Sequence, residues 1–129
     1  MITPFYAAVM TIMYSFLSLK IIRLRWKHKV GIGDGDISEL RRAIRVHGNF
    51  SEYAALAIIL LFFLESSYGY HRTVFVLGMA LILSRLSHAL GLWAHGGATK
   101  RRVFGTAVTL SVLNISAFLL IYEFVKDKF

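Results

Sequence analysis

Four apolar runs, Ile2 to Leu19, Asn49 to Leu64, Thr73 to Trp93 and Val103 to Phe124, occupy most of this 129-residue chain. Each is close to the roughly 20 residues a helix needs to cross about 30 Å of hydrocarbon, where a spanning backbone must satisfy its own polar groups. The pattern predicts an all-α fold, an integral membrane four-helix bundle in a single domain over residues 1–129, with spans at about 2–22, 38–65, 72–94 and 102–125. A hydrophobic share of 57% agrees, because a soluble domain this small could not bury so much apolar surface. The first run, MITPFYAAVMTIMYSFLSL, lacks the basic start and small-residue cleavage site of a signal peptide and reads as the first span.

Charge is concentrated between the runs. Lys20, Arg23, Arg25, Lys27, Lys29, Arg41, Arg42 and Arg45 separate the first two spans, and Lys100, Arg101 and Arg102 the last two. The second loop offers only Arg72, and the C-terminal tail only Lys126 and Lys128. By the positive-inside bias, loops 20–47 and 95–102 are expected in the cytoplasm and both termini outside. The net charge of +8 belongs to these loops, so it does not imply a nucleic-acid partner. Absence of Cys removes disulfides and thiolate metal ligands, and any thiol chemistry then requires a thiol from outside the protein. Gly31 to Asp36, GIGDGD, reads as a flexible turn, and Asp36-Ile-Ser-Glu39 resembles a capping box that starts one helix running through the interface to Leu64.

Polar residues within the spans point to a site. At about 100° per residue, Arg42, Arg45, Asn49 and Glu52 share an arc of about 80° on the second helix. The carboxylate of Glu52, about two turns into a membrane helix, costs several kcal/mol unless a cation or hydrogen-bond donor meets it. The third span supplies Arg85 and His88, one turn apart on a shared face. Glu52 precedes Glu65 by thirteen residues and Arg85 follows Arg72 by thirteen, which puts both about 20 Å below the outer surface at 1.5 Å per residue. A buried Glu52–Arg85 ion pair is therefore expected, with His88 nearer the cytoplasm; such a pair can also serve only to set helix register. Arg23, Arg45 and Arg102 each stand near the cytoplasmic end of a different helix, so a bundle would converge guanidinium groups on a pocket suited to a small polyanion. Asn49 could bind an amide and Glu52 an ammonium. A small peptide with two carboxylates, amide bonds and an amine fits that set.

Other polar residues read more plainly. His28, His47, His71 and His95 are expected at the surface or interface rather than as metal or haem ligands, with His47 opposite the polar stripe; no metal site is expected. Ser15, Ser18, Ser87, Ser111 and Ser116, with Gly78 and Gly91, fit close helix packing, and Asn114 a bond across an interface. Trp26, Tyr68, Tyr70, Trp93 and Tyr122 fit an aromatic belt.

The segments IIRLRWKH, RAIRVHGNFSEY, SRLSHALG and RRVFG together resemble the MAPEG family, the membrane-associated proteins in eicosanoid and glutathione metabolism. That family includes microsomal glutathione S-transferases and prostaglandin E synthase, and the chain looks most like its small bacterial branch. The resemblance covers essentially the whole chain, and its most specific part is Arg45, Asn49 and Glu52 in the pattern Arg-x-x-x-Asn-x-x-Glu. It implies a homotrimer in the bacterial inner membrane that holds glutathione, as co-substrate, between neighbouring protomers near the cytoplasmic side.

By the same resemblance Arg23, Arg45, Asn49, Glu52 and His88 are expected glutathione contacts, and Arg42, from the polar stripe of the second helix, and Arg101 are expected with them. Arg102, with Arg101 one register away, is the expected catalytic cation; it would stabilise the thiolate and so lower the thiol pKa. The thiolate would attack lipophilic electrophiles or hydroperoxides arriving through membrane lipid, making the protein a glutathione S-transferase or peroxidase of a detoxifying kind. The chain departs from prostaglandin E synthase at Gly48, Leu92, Val103 and Thr106, where that enzyme has an Arg, an aromatic hydroxyl, a hydroxyl and a Tyr. Two other readings stand beside this one: a small oligomeric transporter, and a catalytically silent scaffold that binds glutathione or lipid. Small multidrug exporters carry an essential acid in their first span, and Ile2 to Leu19 has none.

Overall fold

Four helices run up and down in succession: α1 (Thr3–His28), α2 (Ser38–Tyr68), α3 (His71–Ala94) and α4 (Lys100–Lys128). The computed structural model describes residues 1–94 and 99–128, and of residues 92–94 the helical backbone alone. All four helices are long and apolar enough to cross a membrane. They extend past the expected spans, α1 reaching His28 and α4 Lys128. At 1.5 Å per residue even the 24-residue α3 exceeds about 30 Å, so helix ends project beyond the hydrocarbon.

Helix ends follow local chemistry. Pro4 sits in the first turn of α1, where no intrahelical N–H is needed. Lys29, in the left-handed region, closes that helix, and Gly69 (φ 69°) closes α2, its N–H returning to Glu65 O and that of Tyr70 to Leu64 O. The start of α2 corrects the capping-box expectation: Ile37 precedes the helix and no side chain caps it. The carboxylates of Asp34 and Asp36 are drawn instead to the Arg41 guanidinium, while Arg25 donates to Gly33 O at 2.9 Å. Residues 31–36 do form the turn, and these two arginines hold it.

Packing places α2 and α3 at the centre. Among the described residues α1 touches α2 and α3, α4 touches the same two, and α1 and α4 do not meet. The core runs through Tyr6, Met10, Leu17, Phe50, Ala57, Leu61, Leu77, Leu81 and Val112. Large apolar side chains such as Phe5, Ile12, Phe16, Phe63, Leu83 and Phe118 are exposed, the inverse of a soluble bundle and the arrangement lipid favours. Gly78 admits the Tyr6 ring, whose hydroxyl donates to Phe75 O at 2.9 Å. Gly105 brings α4 against α3, since a Cβ there would stand 2.6 Å from Ser84 O and 2.7 Å from His88 Cβ.

The end bearing the chain termini is closed by carboxylates. Glu65, only 2% exposed, accepts the Thr3 backbone N–H and hydroxyl on Oε2, while Oε1 accepts the Ile2 backbone N–H and lies 3.0 Å from His71 Nδ1. Glu123 receives the Tyr70 hydroxyl and lies 3.3 Å from Lys126 Nζ. Neither role was legible in the sequence, where Glu65 served only to mark the end of a span.

Candidate functional site

A cavity of about 400 Å³ opens at the opposite, basic end, lined by Ser38, Arg41, Arg42, Arg45 and Asn49 from α2, His88 from α3 and Arg102 from α4. The α2 residues repeat at three- and four-residue steps, so one helix face builds most of the wall. Thr99, just before α4, accepts the Arg102 backbone N–H on its hydroxyl, which helps orient the first turn carrying Arg102. The missing side chain of Gly105 lets that turn approach His88.

Behind this wall lies Arg85, 2% exposed. Its Nη1 donates to Asn49 Oδ1 at 2.7 Å, its Nη2 to Gly105 O at 3.3 Å, and its guanidinium stands 5.6 Å from the centre of the Tyr53 ring. Arg85 thus ties α2, α3 and α4 together beside the cavity. Two hydrogen bonds and an aromatic face replace part of its lost hydration. Its Nε is buried without a partner among the described residues.

The expected Glu52–Arg85 ion pair is not formed within the protomer. Glu52 is exposed, and Arg85 has turned to Asn49. Depth arithmetic brings the two residues to one level, yet Glu52 lies about 60° round α2 from Asn49, and only Asn49 is aimed between α3 and α4. A neutral amide therefore stands where a carboxylate was expected.

Of the residues singled out from sequence, Arg42, Arg45, Asn49, His88 and Arg102 come together in the cavity. Arg101 does not line it; its side chain is exposed and its carbonyl accepts the Ser87 hydroxyl. Arg23 lies on α1 beside a separate groove formed with Phe16, Leu19, Lys20 and Leu24. Ser38, Arg41 and Tyr53 were missed, although Arg41 stands one turn before Arg45 and could have been read from that spacing. His47 faces α1, with Nε2 2.9 Å from Ser18 Oγ and its ring 4.7 Å from that of Tyr14. His95 and the side chains of Leu92 and Trp93 lie outside the described residues.

Electrostatically the cavity is one-signed. Among the described residues, four arginines and no carboxylate line it. Arg41 is matched at the mouth by Asp34 and Asp36, and the hydrogen bond from its guanidinium holds the Asp34 carboxyl below the usual aspartate range. Deeper in, Arg42, Arg45 and Arg102 with the Asn49 amide form a surface rich in donors, suited to an anion bearing several oxygens.

Comparison with known proteins agrees with the sequence resemblance. Residues 3–122 match the model of the MAPEG family. The inner membrane protein YecN of Escherichia coli strain K12 is 37% identical over 91 residues, covering 70% of this chain and 70% of that protein. YecN of Escherichia coli O6:H1 strain CFT073 is similar to the same extent.

Proposed function

This chain belongs to the MAPEG family, and on that premise we propose that it is a glutathione-binding membrane enzyme, a transferase or peroxidase acting on lipophilic electrophiles. The observation that carries the reading is the cavity: Arg42, Arg45, Asn49, His88 and Arg102, expected around glutathione and its thiolate, line one space with no carboxylate among the described residues. Glutathione brings two carboxylates and two amide carbonyls to that surface. Arg42, Arg45 and Asn49 hold these oxygens, and Arg102, at the start of α4, stabilises the thiolate. The thiolate then attacks an electrophilic carbon, adding across an activated double bond or expelling a leaving group. Alternatively it attacks the outer oxygen of a hydroperoxide, breaking O–O to release the alcohol and a glutathione sulfenic acid that a second glutathione reduces to disulfide and water. The substrate comes from the surrounding lipid.

The assembly in this reading is a homotrimer in the inner membrane, the location that the name of YecN gives for that relative. Loops 20–47 and 95–102 face the cytoplasm and both termini lie outside. Arg23 and Glu52 do not line the cavity of a single chain, and in this reading they reach glutathione at a junction with a neighbouring copy.

The test is titration of the detergent-purified protein with glutathione, followed by calorimetry and by the ultraviolet absorbance of the thiolate. Saturable binding with a thiolate signal near neutral pH is the expected result. A folded oligomer that ignores millimolar glutathione defeats the proposal. A second reading, binding without turnover, is favoured by the lining itself, in which Ser38 is the sole hydroxyl among the described residues. Binding with neither transferase nor peroxidase activity would establish it.

A further inference from the structure

Arg85 is the one Lys or Arg side chain buried among the described residues, and it does not line the cavity. Its place in the reaction comes through Asn49. A guanidinium has donors and no acceptor, so a bond from Arg85 Nη1 to the Asn49 amide must end on Oδ1, at 2.7 Å. That bond settles which way the amide faces. The Nδ2 group, with its two N–H donors, takes no partner among the described residues, on a side chain that lines the cavity.

Turning the amide over would set its NH2 against a guanidinium N–H, leaving two donors opposed and a buried charge with one bond fewer. Arg85 cannot easily move aside to relieve this. Its Nη2 is held on Gly105 O, and its plane is backed by Tyr53. The amide orientation is therefore imposed from α3 and α4.

We propose that Arg85 is a positioning residue that locks the Asn49 amide with its NH2 toward the ligand, so that the site demands a carbonyl or carboxylate oxygen at that place. This rests on the glutathione reading and deepens it: Asn49 serves as a donor only and does not receive a peptide N–H. Arg85 thereby contributes to selection among small anions without touching one.

A double-mutant cycle on glutathione affinity tests whether Arg85 acts through Asn49. Arg85→Met, which lets the amide turn, and Asn49→Leu, which removes it, should each weaken binding about tenfold or more. In the Asn49→Leu background, Arg85→Met should change affinity by no more than about twofold, whereas with Asn49 present Arg85→Lys, which keeps a donor, should recover much of the loss seen with Met. Full, additive loss in the double variant would mean that Arg85 acts by charge alone and would overturn the proposal.

Should Arg85→Met fail to fold, side-chain amide resonances of isotopically labelled wild-type protein decide the matter. The Asn49 NH2 signals, identified by their loss in Asn49→Leu, should shift on adding glutathione; unshifted signals at saturation overturn the proposal and leave the glutathione reading standing. No binding by the wild-type protein overturns both.

Discussion

The Glu65 carboxylate, carried by α2, closes the first turn of α1 by accepting the Thr3 backbone N–H and the Thr3 hydroxyl, each at 2.7 Å. A helix start leaves unsatisfied N–H groups with partial positive charge, and an acid 62 residues away in sequence supplies the cap. The same carboxylate meets His71 at the start of α3, so one side chain gathers three helices.

Glu65→Ala should remove this cap and leave buried donors unmatched, lowering stability by about 2–3 kcal/mol. Thermal unfolding in detergent would show the loss, and Glu65→Gln, which keeps one acceptor oxygen, should lose less. An unchanged melting temperature for the Ala variant would mean that the cap contributes nothing.

Two glycines should respond in opposite ways. Gly105→Ala puts a methyl group 2.6 Å from the Ser84 carbonyl, which should cost about 1–3 kcal/mol and weaken ligand binding by shifting Arg102 away from His88. Gly48→Ala meets nothing within 4 Å in the middle of α2 and should instead stabilise by about 0.5–1 kcal/mol. Denaturation and glutathione titration of both variants check the pair together.

Arginine substitutions should separate binding from thiolate formation. Arg45→Ala or Arg42→Ala should weaken glutathione binding about tenfold, as expected for a lost charge-assisted hydrogen bond. Arg102→Ala should depress the thiolate absorbance of bound glutathione more than it depresses binding. Arg101→Ala, at an exposed side chain outside the cavity, should alter neither by more than about twofold.

The turn between α1 and α2 should loosen in acid. Asp34 has its carboxyl pKa lowered, chiefly by the Arg41 hydrogen bond, so the folded state favours the ionised form. This contribution is fully present above the ordinary aspartate value, about 3.9, and fades as pH falls through the lower folded value. Protection of residues 31–37 against hydrogen exchange, taken relative to the intrinsic rate at each pH, should therefore fall below about pH 4 in the native protein. In Asp34→Asn protection should already be low at neutral pH and change little with acidification.

What the sequence revealed follows from how far each signal reaches along the chain. Helix number and approximate extent were readable because apolar run length is a local quantity, and the convergence of Arg42, Arg45, Asn49, His88 and Arg102 followed from residues near the basic ends of their helices. The partner of Arg85 was not readable in the same way. Residue counting gives depth along a helix, but the choice between Asn49 and Glu52 depends on how α2 is rotated against α3, which is set by the face of α2 that buries Val46, Phe50, Ala54 and Ala57. The cap on α1 was hidden for a related reason, since no local pattern announces that a helix start returns to an acid on the next helix.

The buried ionisable groups are unequally shared between the two faces of the membrane. Glu65 and Glu123 lie at the end bearing the termini, each held by donors of its own, whereas Arg85 and His88 lie toward the basic loops with no carboxylate beside them among the described residues. The bundle is thus polarised along the membrane normal. In the proposed reading a small anion enters from the basic end, because the opposite end is closed by carboxylates already engaged with Thr3, His71, Tyr70 and Lys126.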